Sequence, residues 1–498
     1  MIPSRRRFLR LAAAGTAAVG LTGTRLFAGN RMGTGMPAVQ GSPQALRIPP
    51  PFAGGTLTAG VTQQNVWPDI ATEVWTYGGS YPAPTVRVRS GERFTAQFTN
   101  MLPDHSNIHW HGLLNPHTMD GHPKDVFENG ASYTYSFTVA QRAGTYWYHP
   151  HPHMMTGPQV YRGMAGFFIV ADDEEDTLGL PASDYDVPLL IQDRRSEAGR
   201  QFTYTLDDAA QLDGYLGDEV LANGTPDAFL EVARGLYRFR ILNGSNARVY
   251  QLALSDNSAF HVIGTDGGLL DRPYEVASSM LAPAERLDVL IDFSRFAIGD
   301  SVTLKSLRYQ GGSGRQQGAE MAILRFDVKR DGGSGASIPS TLATIEKLNP
   351  DAAVRQRDFN LRTDDGSSPP MHMINDRMFD MDRIDETVHL GDLEVWSFTN
   401  ATLYPHPMHL HGAQFQVMDR NGNTTLEPRD MGWKDTIYLP PYSSARVVVK
   451  FGPYAGVYLV HCHNLEHEDH GMMLNYETTL NDSGVEAEDG SVMRLDLW

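Results

Sequence analysis

Apolar and polar positions alternate with a period of two along much of the chain. Over 133–139, Tyr133, Tyr135, Phe137 and Val139 alternate with Thr134, Ser136 and Thr138, and 237–242, 287–293 and 445–451 carry similar patterns. Successive side chains of a strand point to opposite faces, so this period predicts strands with one buried face. Gly, Pro and Asp punctuate the runs, and 48 glycines with 30 prolines leave little room for long helices. A chain of 498 residues is too long for one hydrophobic core; at about 150 residues per core, roughly three are expected. An acidic run at 171–176 and a Gly-rich stretch at 331–335 mark where they should meet. The expected fold is all-β, with three Greek-key β-sandwich domains at 45–172, 180–330 and 350–498. The Gly/Ser-rich segment 311–318 reads as a loop.

Composition narrows the function. A formal charge of −18 disfavours nucleic acid and anionic membrane surfaces as partners, since both select clustered Lys and Arg. The N-terminus reads Ser4, Arg5, Arg6, Arg7, Phe8, Leu9, followed by an Ala/Gly/Leu stretch too short and too weakly apolar to span a bilayer. It resembles a twin-arginine export signal, which implies the twin-arginine machinery as a partner and a periplasmic or otherwise exported product. Residues 1–28 are assigned to this signal, with cleavage near Ala28; an ordinary basic tail is the alternative.

Chemistry enters with the single cysteine. Cys462 excludes an internal disulfide, and its neighbours are His461 and His463, with His467 and Met472 following. A thiolate among imidazoles and a thioether suits copper better than calcium or magnesium. A buried structural thiol and a Cys-His nucleophile pair are the rivals, but neither explains the other histidines. These cluster as His109-Trp110-His111, His149-Pro150-His151, His406-Pro407-Met408-His409-Leu410-His411 and His461-Cys462-His463. One such pair would carry little weight; four of them point to metal.

Strand parity sorts the ligands. His461 and His463 share one face and Cys462 takes the other, so one tripeptide serves two sites. His409 and His411 face together, while His406, an odd number of residues from His409, can face with Cys462. His406, Cys462 and His467 with a weak axial Met472 form the set expected of a blue-copper electron-transfer site. His109, His111, His149, His151, His409, His411, His461 and His463 would gather on the other side. Eight imidazoles exceed the needs of one ion, so several coppers must share them. Zinc is the alternative metal, but it transfers no electrons.

In this order and spread along the whole chain, the four motifs resemble those of the three-domain multicopper oxidases, a group that includes laccases, bilirubin oxidases and cuprous oxidases. Segments 237–248 and 265–268 resemble the second domain of bacterial members, which carries no copper ligands. The resemblance implies cupredoxin-like domains and four coppers per chain. Type 1 copper would lie at His406, Cys462, His467 and Met472, and type 2 copper at His109 and His409. The two type 3 coppers would take His111, His149, His151, His411, His461 and His463. It further implies dioxygen as the acceptor, reduced to water, and a small reductant as donor. A phenol or aromatic amine is the leading donor and Cu(I) the alternative. An axial methionine implies a modest potential and easily oxidised donors.

Dioxygen reduction consumes protons, and copper-bound histidines supply them poorly. Asp120 and Glu468 resemble family positions that hydrogen-bond the cluster and relay protons. Asp435, in Trp433-Lys434-Asp435-Thr436, also resembles a family motif and is read as structural. His105, His117, His122, His153 and His470 match no ligand position. Met371, Met373, Met378 and Met381 could hold Cu(I) or pack in a core strand and turn, and core packing is the expectation. The chain is expected to be a monomer that is not embedded in a membrane. A copper-free scaffold of this fold and a copper-storage protein are the non-enzymatic alternatives.

Overall fold

The computed structural model describes residues 42–196, 199–312 and 316–480, with two further short strands, Val485–Glu486 and Val492–Met493. Residues 1–28, assigned to an export signal, and part of the 311–318 segment lie outside the described residues. The alternating segments are strands: Ser132–Thr138, Leu236–Asn243, Arg286–Asp292 and Ser444–Phe451. They pack as three pairs of sheets, each pair enclosing its own apolar core.

In the first pair, one sheet runs Ile70–Tyr77, Thr56–Trp67, Arg93–Asn100, Ser132–Thr138, and the other runs Val86–Arg89, Gly166–Ala171, Gly144–His149, His109–His111. The third pair has two five-stranded sheets; in one of them Gly456–Cys462 lies beside His406–Leu410. The middle pair has six and seven strands, and the first described strand, Gln44–Ala45, joins it beside Ala228–Ala233. Sequence-distant strands lie side by side, with parallel and antiparallel pairings mixed, so long crossovers connect the sheets.

Helices are short, and two of them matter for the site: Asp208–Asp213 and Leu465–Asp469. No helix among the described residues is long and apolar enough to cross a membrane.

The strand Met371–Ile374 corrects one expectation. Its buried face is taken by His372 and Ile374. By strand parity Met371 and Met373 stand on the other face, half-buried, and Met378 is exposed, so these methionines do not pack as a core.

Candidate metal centre

The histidine motifs sit at strand ends where the first and third sandwiches meet. In the first, His109 pairs with His149 across the ladder, and Trp110 between the two histidines points into the apolar core. In the third, His409 pairs with His461 and Met408 with Cys462. Met408 and Cys462 belong to the apolar core, leaving His409, His411, His461 and His463 to face the first sandwich.

The eight histidines converge through ring nitrogens. His411 Nε2 lies 3.0 Å and His151 Nε2 3.3 Å from His461 Nε2. His149 Nε2 lies 3.4 Å from both His463 Nε2 and His111 Nδ1, and His109 Nε2 lies 3.4 Å from His409 Nε2. The grouping is two triples, His151/His411/His461 and His111/His149/His463, and one pair, His109/His409. His109 stacks on His411 and His111 on His409, so groups from the two sandwiches interleave.

Each triple and the pair are fixed from behind. His109 Nδ1 donates to the Asp120 carbonyl at 2.7 Å, and His409 Nδ1 to that of Asp435 at 2.8 Å. Asp120 Oδ2 accepts from His411 Nδ1 at 2.7 Å, and Asp435 Oδ1 lies 3.0 Å from His111 Nε2. Glu468 lies 3.1 Å from His461 Nδ1, behind that ring, and 3.5 Å from His151 Nε2, on the side of His151 that faces the cluster. Such partners fix tautomer and ring orientation, leaving the other nitrogen free for a metal.

The structure thus brings Asp120 and Glu468, both singled out in the sequence, beside the histidines. Asp435, read as structural, touches two of the eight histidines, and its charge is held by Arg286. Arg286 lies 149 positions away in the middle sandwich, and no local sequence signal joins the two.

The second donor set lies one residue away. His406 Nδ1 is 3.4 Å and His467 Nδ1 3.7 Å from Cys462 Sγ, and the two nitrogens are 3.1 Å apart. A metal about 2.1 Å from each of three trigonal ligands holds them roughly 3.6 Å apart, so the set fits one ion. Met472 is buried in the same core, and its carbonyl accepts from the Cys462 N–H.

Burial and neighbouring imidazoles hold His109, His149, His411 and His463 well below the usual histidine range, and His151 is pushed down to about 3 by burial. Neutral imidazoles with converging nitrogens are ligands in waiting. Burial pushes the Cys462 thiol up, so its thiolate needs a cation to form there. The soft sulfur beside imidazoles selects copper among common ions.

The chain lies within a known family. Three multicopper oxidase family models match residues 60–175, 203–327 and 348–482. A laccase of Bacillus stratosphericus is 34% identical over 81% of this chain and 90% of its own length. The McoA multicopper oxidase of Aquifex aeolicus superposes with a TM-score of 0.81 at 37% identity, covering 88% of this chain and all of that one. The cell division protein FtsP of Proteus mirabilis is 32% identical over 82% of this chain and 86% of its own. The chain belongs to the multicopper oxidase family. It is a copper-dependent oxidoreductase with dioxygen as acceptor, built from cupredoxin-like sandwiches.

His122, which matches no ligand position, is buried and bonds Asn475 at 2.8 Å. His372, which nothing in its surroundings in the sequence singled out, stacks on His467 with ring centroids 3.9 Å apart.

Proposed function

We propose that the chain is a laccase-like oxidase that couples one-electron oxidation of phenols or aromatic amines to reduction of dioxygen to water, with four coppers per chain. His406, Cys462, His467 and Met472 would hold the copper that accepts electrons. His109 and His409 would hold a second, and the two triples one each. The observation that carries this is the pairing of sites: Cys462, the shared ligand of one set, is peptide-bonded to His461 and His463 of the other. Copper held in these sites supplies one-electron acceptance on the cysteine side and dioxygen reduction on the histidine side.

The residues around the histidines divide the remaining work. Burial raises the carboxyl pKa of Glu468 and of Asp120, so each can hold a proton beside a ligand imidazole. We assign them proton supply to reducing oxygen. Export by the twin-arginine route into the periplasm belongs to the same reading and rests on Arg5, Arg6 and Phe8 in the N-terminal motif.

A copper-free scaffold role is disfavoured by the complete donor sets. Cu(I) is the alternative donor. Dioxygen uptake by the copper-loaded protein, with 2,6-dimethoxyphenol and separately with Cu(I), each corrected for uncatalysed oxidation, decides between them. Faster phenol turnover is expected; faster Cu(I) turnover would transfer the reading to copper detoxification, and no uptake at full copper loading would end the enzyme reading for these donors.

A further inference from the structure

The edge of His467 that points away from Cys462 is not open. Its Nε2–H donates to the Leu212 carbonyl at 2.8 Å, and His467 is fully buried. The short helix Asp208–Asp213 supplies that carbonyl and the next one back: Gln211 accepts from His372 Nε2 at 2.9 Å. His372 lies face to face against His467, its other nitrogen accepting from Thr363 Oγ1 at 3.0 Å. The helix thus covers both imidazoles from one side.

The other side is different. A polar cleft of about 230 Å³ is walled by Thr363, Asp365, Thr402, Leu403, Tyr404 and Tyr442, with Arg362 at its edge. Three of these walls reach the copper ligands directly or through one group. Thr402 Oγ1 accepts from His406 Nε2 at 2.9 Å, and Thr363 bonds His372. The Tyr404 ring stands edge-on to both His372 and His467, at 6.4 and 6.3 Å between centroids. Tyr404 is only 6% exposed, whereas Tyr442 at 66% and Leu403 at 44% frame the mouth with apolar surface.

Charge narrows the occupant. Arg362 is paired with Asp376 at 2.7 Å. The cleft is small, with Tyr442 and Leu403 at its mouth and the exposed Asp365 carboxylate on its wall, which favours an uncharged ring over an anionic one.

Resting on the oxidase reading above, we propose that a small neutral phenol docks in this cleft against Tyr404, and that its electron passes inward through Tyr404 and His372 rather than over the helix Asp208–Asp213. Each phenol loses one electron and its hydroxyl proton and leaves as a phenoxyl radical. The electron goes to the copper held by His406, Cys462 and His467; the proton goes to the Asp365 carboxylate and on to water. Four such events match one dioxygen reduced to water. Tyr404 contacts the donor; His372 is a positioning residue, acting through His467.

Two exposed substitutions separate the routes. Leu403→Trp narrows the cleft mouth, and Ala209→Trp adds bulk to the outer face of the covering helix. The first readout needs no turnover: saturation-transfer NMR of benzyl alcohol, an uncharged ring that does not reduce the enzyme, on the copper-loaded protein. We expect the signal in wild type and Ala209→Trp and at least a fivefold weaker one in Leu403→Trp, with copper content and the blue absorption band unchanged in all three. The KM for 2,6-dimethoxyphenol should rise at least fivefold in Leu403→Trp alone, with kcat within twofold of wild type. The reverse pattern, or equal benzyl alcohol binding by Leu403→Trp and wild type, overturns the cleft. Absence of phenol oxidation by the wild type would instead sink the oxidase reading for phenols, and the binding measurement would still decide where an uncharged ring docks.

Discussion

One oxygen of Asp435 joins two distant side chains, lying 2.8 Å from Nη1 of Arg286 and 3.0 Å from Nε2 of His111. Burial pushes this carboxyl up, but Arg286 and then His111 outweigh it and hold the group well below the usual carboxylate range. Asp435 is therefore a fixed anion that orients a ligand, unlike Asp120 and Glu468, which burial keeps able to hold protons. Arg286 belongs to the sandwich without histidine motifs, so the middle domain helps to fix a cluster whose histidines come from the other two.

Removing the cation should expose that dependence. Arg286→Leu leaves a buried carboxylate unpaired, which costs about 3–5 kcal/mol. Urea unfolding of the metal-free protein should show a stability lower by that amount and a correspondingly lower midpoint, whereas Asp435→Asn should chiefly weaken retention of copper against a chelator, by about 10–100-fold. An unchanged midpoint in Arg286→Leu would remove Arg286 from the support of the site.

Metal-free protein should also lose stability on mild acidification. The ligand histidines are depressed in the folded state, His151 to about 3 from an ordinary 6.5. The unfolded chain therefore binds more protons as pH falls below about 6.5, and stability present above that value is lost progressively down to the folded pKa. Denaturant midpoints of the metal-free protein should fall between pH 7.5 and pH 5. Copper-loaded protein should change less over the same window, since bound metal competes with protons for the same nitrogens; equal slopes would contradict this assignment of ligands.

Proton supply has its own signature. The raised pKa of Glu468 keeps its carboxyl protonated to higher pH than an exposed one, and the supply is lost as pH rises through that value. In Glu468→Gln, kcat should drop by about 100-fold, the alkaline decline of kcat should flatten, and copper content should stay constant. A proportional loss of copper would mean that Glu468 only holds His461 and His151 in place.

The convergence of the histidines was legible because strand parity is local: alternate histidines share a face whatever the rest of the fold does, and Trp110 and Cys462 between them take the other. The sandwiches followed from the same period. Partners set by tertiary contact were not legible. Arg286 and Asp435 are joined only across two domains, and the Leu212 carbonyl has no side-chain signal at all. His372 looked unremarkable because it is a lone histidine between Met371 and Met373. The methionines misled for the opposite reason, since their spacing fits a core strand but does not say which face is buried.

Gly121 tests the link between backbone and site. Its φ of +80° is in the region that side chains disfavour, and a Cβ there would overlap the Ile108 carbonyl next to His109. Gly121→Ala should cost at least about 2 kcal/mol and lower copper occupancy, because Asp120 beside it bonds both His109 and His411. Wild-type stability and copper content in this variant would show that the turn tolerates strain without moving the ligands.

Electrons must cross from the Cys462 site to the histidine cluster, and dioxygen stoichiometry measures that crossing most directly. Copper-loaded wild type oxidising 2,6-dimethoxyphenol should consume one dioxygen per four phenols without releasing peroxide, while Cys462→Ser, with its histidine cluster still loaded, should consume almost none. Peroxide released in proportion to the phenol oxidised, or equal uptake by Cys462→Ser, would contradict it.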